Sequence, residues 1–195
     1  MSIVLGLAME VLTSGAMSVL GKIPGLREVA ADTLQKVSWG VLVCVGVAAG
    51  TAASKARIAV SGLAGLVSAP LAFTVAKAVY KAAAAGLSLS PQAAGVLSPL
   101  MLAGIKGAEY AALGSGVAWV IDRTGGGLFR YAGLGLAAGV IFGGTVLGLT
   151  AVMSPALPPA AKLISLGINE VLFPVGCALV LFFSREFSGR IHLER

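Results

Sequence analysis

Residues 131–153 read YAGLGLAAGVIFGGTVLGLTAVM, a run without one charged side chain. At about 1.5 Å of rise per residue, a helix of that length covers the roughly 30 Å of hydrocarbon in a bilayer. Its glycines are in register: Gly135, Gly139 and Gly143 repeat every four residues and share one helix face. In lipid, helices associate through close van der Waals contact, and glycine removes the side chain that keeps two backbones apart. The run therefore reads as a membrane-spanning helix with a packing seam.

The remainder of the chain agrees. Of 195 residues, 57% are apolar and 11% charged, with a mean hydropathy of +0.96. Soluble domains carry about 25% charged residues, so a water-soluble globule and a disordered chain are both excluded. Further apolar segments cover 2–21, 39–53, 58–80, 93–121 and 160–183. The fold expected is an all-α integral membrane protein, a bundle of five or six transmembrane helices in a single membrane domain over 1–195. Within it, 1–21 is an apolar segment read as a span, 39–183 is the helical bundle and 184–195 is a polar tail. No basic leader precedes the first segment, so no secretory signal is read there.

Pro24–Gly25 ends the first segment, and residues 26–38 then turn amphipathic. Leu26, Val29, Ala30, Thr33, Leu34 and Val37 form one stripe, with Arg27, Glu28, Asp32, Gln35 and Lys36 opposite. The pattern predicts an interfacial helix in the headgroup plane, or an extension leading into the next span. Loops are expected at 54–57 (SKAR), at 81–92 with a helical Ala-rich start, at 122–130 (DRTGGGLFR) and at 154–159 (SPALPP). Pro70, Pro99 and Pro155 each precede a lysine by seven residues, a spacing that suggests helix duplication.

The net charge of +6 comes from 14 basic and 8 acidic residues scattered singly, which gives no nucleic-acid surface. Membrane lipids and other transmembrane subunits are the partners expected. With six crossings, Lys55, Arg57, Arg123, Arg130, Arg185, Arg190 and Arg195 share the side of both termini. That places the termini on the cytoplasmic or matrix side of a bacterial or mitochondrial inner membrane.

Four charged residues fall deep inside apolar segments: Glu10, Lys106, Glu109 and Glu170. Charge at bilayer depth costs about 2.5–3.5 kcal/mol per residue on insertion scales, so such groups face protein or water and find partners. Lys106 and Glu109, three apart on one helix face, read either as a structural ion pair or, with Glu170, as the lining of a conduction path. Lys77 and Lys162 lie near enough to helix ends to reach the interface. Gly46/Gly50 and Gly144/Gly148 are further four-residue glycine pairs. Cys44 and Cys177 lack metal spacing and read as small buried residues.

Residues 167–183, GINEVLFPVGCALVLFF, resemble the carboxylate-bearing helix of rotary ATPase ring subunits. The likeness covers that helix only, and SPALPP stands where that family has a polar loop. The glycine-rich helices and the loop around Arg123 also resemble the small four-helix mitochondrial translocase-like family over about a third of the chain. No residue role is transferred from either family. His192 lies in the tail, and HExxH, GxSxG and nucleotide-loop motifs are all missing from the sequence. The chain is therefore not expected to be an enzyme or to hold a cofactor or metal. The expected function is a non-catalytic multi-pass subunit that packs within and stabilises a larger membrane complex. The alternative is a small channel or transporter with a path near Lys106, Glu109 and Glu170, and a third reading is the substrate-capture part of an importer.

Overall fold

In a computed structural model the described residues are 1–53, 56–90, 95–124, 126–156 and 158–193, with side chains described except at 124 and 188–193. Among the described residues there are helices and no strands. The helices are α1 (Ser2–Val19), α2 (Leu26–Thr51), α3 (Arg57–Gly86), α4 (Pro99–Thr124), α5 (Leu128–Met153) and α6 (Ala160–Leu193). All except α4 are long and apolar enough to cross a membrane. At 26 residues α4 is long enough, but it carries Lys106, Glu109, Asp122 and Arg123. Asp122 and Arg123 are exposed at its end, whereas Lys106 and Glu109 lie on its inward face, where Tyr110, Leu113, Val117, Ala118 and Val120 are also buried.

Consecutive helices pack antiparallel, and α1 closes the ring against α6. Glycines set the closest approaches. A Cβ on Gly6 would lie 2.6 Å from Val37 Cα, bringing α1 onto α2, and one on Gly50 would lie 2.7 Å from Ser61 Cα, bringing α2 onto α3. The even-numbered helices also meet one another, running in parallel at the centre. Trp39 of α2 packs edge-on against Tyr110 of α4 and Phe173 of α6, with ring centroids 5.7 and 6.3 Å away. Beyond this aromatic junction Val43, Cys44, Val47, Leu113, Val117, Cys177, Ala178 and Leu181 form a continuous apolar core.

Several boundaries differ from expectation for identifiable reasons. Of the two readings of residues 26–38 the structure shows the extension rather than a separate interfacial helix: they run without a break into 39–51 as one 26-residue helix. No glycine or proline falls between Leu26 and Trp39 to stop propagation, and Glu28 accepts a hydrogen bond from the Gly25 N–H at the start. The polar tail at 184–195 continues α6 to Leu193, and the helical start expected at Lys81 extends to Gly86. There Ser88, at φ 55, ends α3 with the Leu89 N–H donating to the Ala84 carbonyl at 2.9 Å. The fourth helix starts at Pro99 rather than 93, and the expected 122–130 loop is helical at 122–124 and again at 128–130. The proline–lysine spacing marks no repeat, since Pro70 is inside α3, Pro99 opens α4 and Pro155 precedes α6. Among residues named above, Ser54, Lys55, Gln92, Gly125, Leu157 and Arg195 and the side chains of Arg190 and His192 lie outside the described residues.

Candidate functional site: a charged layer inside the bundle

Lys36, Glu109 and Glu170 each lie ten residues into their helices, counting from Leu26, Pro99 and Ala160. At about 1.5 Å per residue that is roughly 15 Å from one end of the bundle. Glu10 lies nine residues before the end of α1, which runs the opposite way, so it reaches the same level. Four helices thus bring charge to one layer, directly above the Trp39–Tyr110–Phe173 junction.

The layer contains two ion-pair groups. In the first, Lys106 donates a hydrogen bond to Glu109 Oε2 at 2.7 Å, and its ammonium also lies 2.5 Å from Glu170 Oε2, off the hydrogen-bond direction. One cation therefore bridges α4 and α6. Glu109 is fully buried, Lys106 and Glu170 nearly so, and Glu109 Oε1 has no hydrogen-bond partner among the described residues. The sequence left open whether Glu170 joins the Lys106–Glu109 pair; in the fold both carboxylates converge on one ammonium. In the second group, Lys36 reaches Glu10 Oε2 at 2.5 Å and Thr13 Oγ1 at 2.5 Å, and Ser14 donates to Glu10 Oε1. This group holds one ion pair with hydroxyls on both partners, and Asp32, one turn before Lys36 on α2, lies beside it as a further acid. Glu10 is accordingly apart from the trio.

Sequence reasoning missed Lys36, placing it on the solvated face of an interfacial helix. A signal was available, because Glu10 and Lys36 each stand thirteen residues from Ile23 in the turn. In an antiparallel hairpin, residues equidistant from the turn face each other.

The backbone is interrupted at this level. Pro174 in α6 has no N–H to give the Glu170 carbonyl, four residues earlier. Gly143 of α5 lies against that residue, where an added Cβ would be 2.9 Å from Glu170 Cβ and 3.2 Å from its carbonyl oxygen. Residues Gly139–Gly143 form a π-helical turn, an irregularity that often accompanies functional sites. The same device recurs on the side of α4 that faces α3: Pro70 frees the Leu66 carbonyl, and a Cβ on Gly107 would lie 3.2 Å from it.

The glycines expected to form seams divide into two groups. Gly135, Gly139 and Gly143 all face α6, against Pro174–Val175, Val171 and Glu170. Gly46 and Gly50 face Ser68, Ala64 and Ser61 on α3. Gly144 and Gly148 face open space. A further seam went unread: Gly62, Gly65, Gly107 and Gly114 bring α3 and α4 into backbone contact. Ser61, Gly65 and Ala69 at four-residue spacing carried that signal, but only a search for small residues generally, rather than glycine alone, would find it.

Of the remaining candidates, Lys77 lies over the Phe73 ring at 4.5 Å and Lys162 is exposed. Cys44 and Cys177 are buried as expected, and they touch, with sulfurs 3.2 Å apart. Arg57 and Asp122 pair at 2.5 Å at the opposite end of the α3–α4 hairpin. Comparison with family models, curated proteins and solved structures gave no match to this chain.

Proposed function

We propose that the chain is an integral membrane protein that moves an ion or small polar solute past Lys106, Glu109 and Glu170. The observation that carries this reading is one buried lysine held between carboxylates from two different helices. Such a group costs several kcal/mol to insert, and hydrophobic residues of similar volume would often be neutral or stabilising in its place. The proline and π-helical interruptions at the same depth support it, since transporters commonly bind ligands where helices are broken. Intramolecular use of the Gly135–Gly139–Gly143 seam supports it too, because that seam no longer calls for a partner. In this reading the protein is not an enzyme. Its termini lie on the cytoplasmic or matrix side of a bacterial or mitochondrial inner membrane, following the basic residues at that end.

The test is flux into liposomes of purified protein, measured for protons, Na⁺, K⁺ and small polar solutes. Glu109→Gln and Glu170→Gln should each lower flux at least tenfold, while Val140→Ala on the outer face of α5 leaves it unchanged. Absence of flux for every solute, or full flux in both glutamine variants, overturns the reading.

A second reading, a non-catalytic subunit that stabilises a larger membrane complex, is favoured by Gly144 and Gly148. These form a four-residue glycine pair with nothing against them, the arrangement a neighbouring transmembrane helix packs on. Native mass measurement after mild-detergent extraction should then find other polypeptides bound, and Gly148→Leu should release them. Recovery of this chain alone removes the reading.

A further inference from the structure

Resting on the transport reading, we propose that the cation exchanged at this site is a proton, shared by Glu109 and Glu170 against the single ammonium of Lys106. The argument begins with charge. Among the described residues, the ion pairs of Glu109 and Glu170 are with Lys106 alone. With both carboxylates ionised, the trio carries one negative charge too many. The neighbouring Glu10–Lys36 pair has no positive charge to spare, with Asp32 on α2 beside it as a further acid.

No other side chain in contact supplies the missing positive charge. Around Glu109 the titratable neighbours are Tyr110 on its own helix and Cys177 on α6, with Cys44 on α2 against Cys177. A phenol and two thiols are neutral or negative, never cationic. From α3, Lys77 is engaged with Phe73, and no charged side chain of α5 pairs with either carboxylate among the described residues. An uncompensated charge taken out of water is among the most expensive states a protein interior can hold, and carboxyl groups escape it by taking up a proton.

Geometry selects the proton over a metal cation. In the trio two buried oxygens lack a hydrogen-bond partner among the described residues, Glu109 Oε1 and Glu170 Oε2, and the second already lies 2.5 Å from the Lys106 ammonium. Mg²⁺ and Ca²⁺ need about six or more oxygen ligands, whereas a proton needs one. Uptake converts one carboxylate to a carboxyl by adding H⁺ at an oxygen, with no other bond changed. The trio then becomes neutral, as the Glu10–Lys36 pair already is.

The experiment is infrared difference spectroscopy of the purified full chain in phosphatidylcholine nanodiscs, stepped from mildly acidic to alkaline pH. Wild type should show a protonated-carboxyl C=O band that disappears on alkalinisation. Glu109→Gln and Glu170→Gln each restore one-to-one charge with Lys106, so each should abolish the band. Lys106→Met removes the only cation, so its band should be about twice as large. Glu10→Gln should leave the band in place. A wild type with no such band overturns the proposal without any variant needing to fold, as does a band that survives in both glutamine variants. The two readings fail separately. A band without liposome flux supports the proton site and removes transport, and Na⁺ or K⁺ flux without a band removes the proton and leaves transport.

Discussion

A side chain at Gly139 has no space to occupy, because its Cβ would lie 2.9 Å from Val171 Cα, and backbone cannot swing aside as a flexible side chain can. Three residues earlier, Leu136 is about half exposed on the outer face of the same helix. Gly139→Leu should therefore destabilise the protein by about 3 kcal/mol or more through overpacking, while Leu136→Ala should stay within about 0.5 kcal/mol. Reversible denaturation in mixed micelles compares the two, and equal tolerance would refute the seam. At this scale the sequence was informative wherever a property depends on one residue and a fixed period. Glycine spacing marked the α5 face correctly because absence of a side chain acts the same whatever lies opposite. Partnership was harder to read: Lys106 and Glu170 are 64 positions apart, and only the packing of α4 beside α6 brings them together.

Among the elements, α2 and α6 meet at Cys44 and Cys177, whose sulfurs are 3.2 Å apart without being bonded. A disulfide spans about 2.05 Å, so a shift of roughly 1 Å in these side chains suffices to form one. Oxidation with copper–phenanthroline should accordingly give an intramolecular disulfide, seen as the loss of two hydrogens in the intact mass and absent in Cys44→Ser. An unchanged mass after prolonged oxidation would argue against this α2–α6 contact. Each cysteine is legible in the sequence as a small buried residue, but their contact depends on which helices turn inward. The even-numbered helices meet there through Trp39, Tyr110 and Phe173, a pattern that emerges only once the order around the ring is known. Helix ends were the least legible feature. Residues 81–86 and 184–193 stay helical because alanine and charged side chains are good helix formers whether or not lipid surrounds them.

For the whole molecule, six helices in antiparallel sequence place both ends of the chain at one end of the bundle, if all six cross. Cysteines introduced at Ser2 and Ser188, in a Cys44→Ser/Cys177→Ser background, should then react with an impermeant maleimide from the same side of sealed vesicles. Labelling from opposite sides would mean an odd number of crossings and would require α1 or α4 not to span. Composition made the helical class plain from the outset, and it made the count ambiguous for a physical reason. Hydropathy measures what faces lipid, and α4 is sheltered by protein, so its lysine and glutamate lower its apolar average without exposing charge.

The placement of the ion pairs along the chain also sets an order for biosynthesis. Glu10 and Lys36 belong to the first hairpin, so each is neutralised by the other as soon as that hairpin forms, before any later helix has been made. Lys106 emerges with Glu109 three residues behind it and is likewise balanced within its own helix. Glu170 comes last and meets an ammonium that already has an anion. The final helix therefore delivers the surplus charge of the molecule, and the same docking event that closes the ring against α1 also creates the demand for a proton.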